Sequence, residues 1–244
     1  MVAVTGMEFT KGRYRVRLAT SAQDVEAAQR LRFRAFRGGE GLDHDRFDAT
    51  CRHVLVEGLA DQRLAGTCRL LVLTRAEDVA ASYSAQFYDL SALSRAFPRM
   101  MELGRFCLAE GAEPDVLRLI WAALTRIVDG EGVGLMFGCT SFTGTAAEDH
   151  AEALAALAAG HLARRDLQPG RRAAEVVPLR AAPHDARRAM QQMPPLLRTY
   201  LAMGGWVSDH AGVDRDLGTL HVLTGVEIAA IPPARARLLR ADAV

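Results

Sequence analysis

The chain has 244 residues, half of them apolar and 24% charged, with a formal net charge of +1. That length and composition suit a self-sufficient hydrophobic core and exclude a disordered or fibrous chain. The near-neutral balance excludes a global field that would mark nucleic acid or an acidic polymer as the partner.

Residues 14–20 (YRVRLAT) alternate polar and apolar side chains, the period of a half-buried strand. Ser21 follows as an N-cap, with Asp24 and Glu26 in the first turn where the helix dipole favours acids. Val25, Ala28, Leu31, Arg32, Ala35 and Phe36 recur at helical spacing until Gly38-Gly39 stops the helix. Residues 38–50 are polar and acidic and read as a loop or lid. Residues 53–57 and 64–73 form two strands joined by a hairpin-length connection. Residues 76–97 predict short helices over a sheet. Residues 100–108 (MMELGRFCL) form another strand, with Gly104 as a candidate bulge. Pro114 opens a helix whose apolar face includes Val116, Ile120, Trp121, Leu124 and Ile127, and residues 130–134 end it. Residues 135–142 are a buried strand. Thr145 and Glu148 have capping-box spacing ahead of an alanine-rich helix to about residue 162.

From residue 164 to 198 eight arginines face three acids. Pro194-Pro195 then precedes a short amphipathic helix at 196–203. Residues 206–213 and 219–228 are the last strands, and an arginine-rich tail after Pro233 forms a final helix. The pattern is that of an α/β protein with one three-layer core. It divides into an N-terminal extension (1–13), one domain (14–230) carrying a basic helical insertion (164–205), and a tail (231–244). Cys51, Cys68, Cys107 and Cys139 lie far apart without histidine clamps, which fits free thiols rather than disulfides or a metal site. Residues 1–10 lack the apolar run of a signal peptide, and no stretch is apolar enough to span a membrane. These features predict a soluble, cytoplasmic protein.

The residues with chemical meaning begin at Arg32, four before Phe36 on one helical face. Asp45 and Asp48 follow in HDRFD, Arg69 in GTCRLL, and Glu102 with Arg105 in ELGRF. Singly, the two aspartates also read as turn formers and Arg69 as a surface charge. Glu102 in an apolar strand demands partners, because unpaired charges are rarely buried. Glu102 and Arg105 face opposite sides of a regular strand, and a bulge at Gly104 would bring them to one side.

Taken in order, R-x-x-x-F, D-x-x-D, G-T-x-R-L and E-L-G-R resemble acyltransferases of the GNAT fold that take acyl chains from acyl carrier protein. Two families share this layout, the N-acyl-homoserine lactone synthases and the L-ornithine Nα-acyltransferases. The resemblance to the second continues through GCTSFTGT at 138–145, MPPLLRTYLAMGG at 193–205 and AGVD at 211–214, and spans about residues 14–228. It implies a three-layer α/β/α fold with a mixed, splayed central sheet. Lactone synthases typically carry a tryptophan shortly after the motif phenylalanine. Residues 38–42 hold none, which argues against S-adenosylmethionine as co-substrate. The ornithine family's closing strand usually reads Asn-Thr-x-Asp-Val. Here Gly218-Thr219-Leu220-His221-Val222 puts His221 in place of the acid and leaves the acceptor open. Coenzyme-A-dependent relatives cradle pyrophosphate in a glycine-rich loop. Residues 109–115 instead hold three acids and one glycine.

The resemblance implies transfer of a 3-hydroxyacyl chain from acyl carrier protein to the α-amine of L-ornithine, with no cofactor, metal or nucleic acid. Glu102 is the expected base, with Arg105 and Asp48 as further catalytic residues. Asp45 and Asp48 are expected to meet the acceptor's side-chain ammonium. Arg32, Arg69 and Arg105 are expected to anchor either those loop acids or the substrate carboxylate. Phe36, Phe106, Cys107 and Ser141 complete the expected substrate site, with oxyanion donors near Phe106 and Cys107. Cys107 and Cys139 lack a histidine partner in a matching motif, so direct aminolysis is expected over an acyl-enzyme. Arg164, Arg165, Arg187 and Arg188 are the expected carrier-docking face, with a solvated surface as the alternative. Residues 194–203 or the tail allow peripheral membrane contact. The competing assignments are a homoserine lactone synthase and a non-catalytic carrier- or membrane-binding module.

Overall fold

A computed structural model describes residues 7–243. The first six residues of the N-terminal extension, which are also part of the stretch read for a signal peptide, lie outside the described residues. In chain order the elements are β1 (Glu8–Lys11), β2 (Tyr14–Leu18), α1 (Ala22–Arg37), β3 (Arg52–Gly58), β4 (Leu64–Leu73), β5 (Tyr88–Asp89), α2 (Ser91–Ala96) and β6 (Met100–Leu108). They continue with α3 (Pro114–Glu131), β7 (Leu135–Thr143), α4 (Ala151–Gly160), β8 (Gly170–Arg171), β9 (Val176–Pro178) and α5 (Ala186–Gln192). The last are α6 (Pro195–Ala202), β10 (Trp206–Asp214), β11 (Thr219–Glu227) and α7 (Pro233–Asp242).

The chain forms two compact units. Among the described residues the first contains 7–72, 103–133 and 233–243, the second 73–102 and 134–232. In the first, β1, β2, β3 and β4 pair antiparallel in that order. Helix α1 starts where expected, because Ser21 accepts from the Asp24 N–H while the Asp24 side chain accepts from the Ser21 N–H, a full capping box. Helix α3 takes Pro114 in its first turn and ends on Gly132 in the left-handed conformation at φ 64°. Gly66 lets α3 approach β4, since a Cβ there would stand 2.7 Å from Val116 Cγ1.

In the second unit the first residues of β6 pair parallel with β7, and β7, β11, β10 and β9 continue antiparallel. One face of this sheet is apolar. Phe142, Leu220, Val222 and Ala211 pack against Leu154 and Leu157 of α4 and Leu197 of α6. Beyond Val207 strand β10 bulges before regaining register at Ala211. Ser208 fills the gap, its hydroxyl accepting the Leu223 N–H and donating to the His210 carbonyl.

Three local expectations need correction. The capping box at Thr145 does not form. A 3₁₀ turn (Ala147–His150) intervenes, and α4 begins at Ala151 without a side-chain cap. In β6 the left-handed residue is Arg105, at φ 51°, and not Gly104. The basic insertion is helical only in its second half, at α5 and α6; the earlier part is turns and two short strands. Among the described residues no helix is long and apolar enough to cross a membrane.

Candidate active site

Within the first unit, three arginines and three aspartates from separate stretches close a ring of alternating charge. Arg32 is 1% exposed. Its Nε lies 3.0 Å from Asp43 Oδ2 and its Nη1 2.8 Å from Asp48 Oδ1. Arg69 Nη1 reaches Asp48 Oδ1 at 2.7 Å and Asp45 Oδ1 at 2.5 Å. Arg105 closes the circuit, with Nε 2.9 Å from Asp43 Oδ2 and Nη2 3.2 Å from Asp45 Oδ2. Arg32 also donates to the Asp43 carbonyl, and Gln29 donates to Asp48.

The ring ties the 43–48 loop to α1, β4 and β6. Burial opposes ionisation of Asp48 and Asp43, but the guanidinium donors outweigh it and hold both carboxyls below the usual range. His53 beneath the ring meets the Asp48 carbonyl at 3.2 Å, and burial lowers its pKa.

Of the two roles open to the arginines, anchoring the loop acids is the one observed. The carboxylates of Asp45 and Asp48, expected to meet a substrate ammonium, are occupied by guanidinium groups instead. Asp43 is an essential member that the sequence did not single out. Phe36, one turn beyond Arg32, is 40% exposed and stands outside the ring. The Phe106 ring lies tilted against Trp121, centroids 6.1 Å apart. The Cys107 thiol is pushed up to about 12, chiefly by burial, which makes it a poor nucleophile.

The second unit carries a different arrangement. Opposite its apolar face, the sheet presents Cys139, Ser141, Gly212, Asp214, Thr219 and His221, which register places on one side. Residues 82–88 lie over this polar face, tied down by hydrogen bonds. Glu102, 6% exposed, accepts the Tyr83 N–H at 2.9 Å and the Ser84 N–H at 2.7 Å, one on each oxygen. The Tyr83 hydroxyl donates to Asp214 Oδ2 at 2.7 Å, and Cys139 Sγ lies 3.5 Å from Ser84 Oγ.

Tyr88 settles the tautomer of His221. Its single hydroxyl hydrogen has the His221 carbonyl at 2.8 Å as its nearest acceptor. Nδ1 of His221, at 3.1 Å, is then the donor to Tyr88 oxygen, and Nε2 is left as a bare acceptor. Burial, with His210 adding to it and Asp214 opposing it, pulls the His221 pKa down to about 4, so the ring is neutral at physiological pH.

Asp214, Tyr83 and Tyr88 were not legible in advance as site residues. Period-2 polar residues on a late strand look like solvent-facing positions until a covering segment is known. The only signal was the AGVD motif ending at Asp214.

The basic stretch is exposed at Arg165, Arg187 and Arg188. Arg164 pairs weakly with Asp166 and Glu227 at 3.4 and 3.5 Å. The α3 N-terminus is flanked by Glu113 and Asp115, and Glu113 is bound by Arg13 and by the Tyr14 hydroxyl. Among the described residues no group of three or more His, Cys, Asp or Glu is placed to hold a metal ion.

Residues 28–121 match the acetyltransferase (GNAT) domain family, a span that contains the whole charge ring and Glu102. The L-ornithine N(alpha)-acyltransferase of Rhizobium meliloti is 33% identical over 93% of this chain and 84% of its own length. That of Rhodobacter capsulatus is 34% identical over 86% of this chain and 88% of its own. The chain belongs to the L-ornithine Nα-acyltransferase family. Its fold is shared with FeeM, an N-acyl amino acid synthase from uncultured soil microbes, at a TM-score of 0.53 and 9% identity, covering 95% of this chain and 98% of that one. Both the GNAT fold and the ornithine-acyltransferase resemblance expected from the motifs are therefore borne out, and of the two families sharing the N-terminal layout the second is the right one.

Proposed function

We propose that this chain transfers a 3-hydroxyacyl group from acyl carrier protein to the α-amine of L-ornithine by direct aminolysis of the thioester. The observation that carries this assignment is the match to L-ornithine Nα-acyltransferases over nearly the full length of the chain.

The α-amine of a free amino acid is mostly protonated near neutral pH, so a base must take a proton before or during attack. Glu102 is our candidate. Its carboxylate is buried, and the Tyr83 and Ser84 N–H groups, one on each oxygen, fix its orientation. The amine attacks the thioester carbon, the carbonyl oxygen takes up negative charge, and collapse expels the pantetheine thiol, which regains a proton. Backbone N–H groups are the proposed oxyanion donors. One such donor is typically worth about 2.7–4 kcal/mol of barrier. The buried, high-pKa Cys107 thiol supports direct transfer over an acyl-cysteine intermediate.

Acyl carrier protein as donor is supported by charge. Acids at the start of α3 disfavour a pyrophosphate there, whereas exposed Arg165, Arg187 and Arg188 suit an acidic carrier surface. We place the protein in the cytoplasm, touching the membrane only peripherally to deliver its amphiphilic product.

Thiol release from hydroxyacyl carrier protein tests the assignment. Release is expected with ornithine, far less with glycine, and is lost in a folded Glu102→Gln variant. Equal release with every amino acid would overturn the acceptor, and full activity in Glu102→Gln would overturn the base.

A further inference from the structure

If the loop aspartates are neutralised by arginines, the side-chain ammonium of a dibasic acceptor needs another acid. Asp214 has the required properties. It is 6% exposed, and its two contacts are neutral donors: the Tyr83 hydroxyl at 2.7 Å on Oδ2 and the Leu217 N–H at 3.1 Å on Oδ1. Among the described residues no lysine or arginine pairs with it. A buried carboxylate without a cation is costly, and its field favours a cationic guest.

Two more buried acceptors stand beside it in register. Thr219 lies directly across from Asp214 on β11, and its Oγ1 has no hydrogen-bond partner. His221, two residues further along β11, is 1% exposed, and its Nε2 is likewise unpartnered. The tautomer imposed by Tyr88 makes that Nε2 an acceptor. Gly212, across from His221, has no side chain to crowd the ring; a Cβ there would stand 2.9 Å from His221 Cε1.

We propose that Asp214, with Thr219 and His221 beside it, forms the subsite that takes the side-chain ammonium of the amino-acid acceptor. An alkylammonium offers three N–H donors, and a carboxylate oxygen, a hydroxyl oxygen and an imidazole lone pair supply three acceptors, one of them charged. This deepens the ornithine assignment and rests on it for the identity of the acceptor. Tyr83 then links both ends of the substrate, with its backbone N–H on Glu102 and its hydroxyl on Asp214. The protonated side-chain amine is held at the carboxylate, which leaves the α-amine as the nucleophile.

The test uses the full chain, with L-ornithine and L-norleucine as probes; norleucine replaces the ammonium by a methyl group. Calorimetric binding and thiol release are measured in parallel for wild type, Asp214→Asn and Thr219→Val, with thermal melting to confirm folding. Wild type is expected to bind ornithine well ahead of norleucine. Asp214→Asn should weaken ornithine about 10- to 100-fold and leave norleucine unchanged, and Thr219→Val should weaken ornithine several-fold. Unchanged ornithine affinity in the folded variants overturns the subsite, and if Asp214→Asn fails to fold, Thr219→Val decides alone. Asp214-dependent ornithine binding without acyl transfer would uphold the subsite and overturn the transfer assignment instead.

Discussion

The hydroxyl of Tyr83 donates to Asp214 Oδ2 at 2.7 Å while the N–H of the same residue donates to Glu102 Oε2 at 2.9 Å. One residue of the covering segment therefore contacts both buried carboxylates of the second unit's polar face. Tyr83→Phe keeps the contact to Glu102 and removes a donor from Asp214. It should lower stability by about 1–3 kcal/mol. Saturating ornithine should then raise the melting temperature of Tyr83→Phe more than that of wild type, since the ammonium replaces the lost donor. Equal ligand-induced shifts would argue against contact between ornithine and Asp214.

The charge ring predicts an order of effects. Asp48 is buried and shared by Arg32 and Arg69, so Asp48→Asn takes one of two carboxylate partners from each of two buried cations and should cost up to about 3–5 kcal/mol. Asp45 has a side chain 21% exposed, and Asp45→Asn should cost less, about 1–2 kcal/mol. Urea unfolding measures both. A larger loss at Asp45 would contradict the ring as the element that holds the loop.

His221 gives the protein a pH signature. Its pKa is about 4 in the folded state against 6.5 for an unhindered imidazole, so the unfolded chain takes up the proton first as pH falls. Its contribution is complete above pH 6.5 and declines as pH drops towards 4. The loss is on the order of 3 kcal/mol. His53 acts in the same direction. His221→Asn should flatten the stability profile across that window, and an unchanged slope would contradict a buried neutral imidazole.

For the carrier, Arg187 and Arg188 changed together to glutamate should raise KM for acyl carrier protein and leave the melting temperature within a degree or two. Wild-type KM should also rise with salt, because exposed charges are screened within about 10 Å at 0.1 M ionic strength. A salt-independent KM would remove this surface from the docking account.

Much of the framework was visible in residue periodicity. Strand β6 and the start of α3 fall where the pattern of 100–108 and Pro114 put them, and Ser21 caps α1 as its place after the 14–20 strand implies. Thr145 failed as a cap because local spacing cannot reveal an intervening 3₁₀ turn. The ring's members were visible except Asp43, but which acid met which arginine depends on how three distant segments converge. The environment of Glu102 was hidden for another reason. Its partners include backbone N–H groups of Tyr83 and Ser84, and a backbone donor leaves no mark in residue identity.

The most direct measurement is mass spectrometry of the product formed by the purified protein from 3-hydroxyacyl carrier protein and L-ornithine labelled with ¹⁵N at the α position. The account predicts one acyl chain in amide linkage to the labelled nitrogen, with the δ-amine free. Acylation at the unlabelled nitrogen, or no amide product with ornithine present, would contradict it.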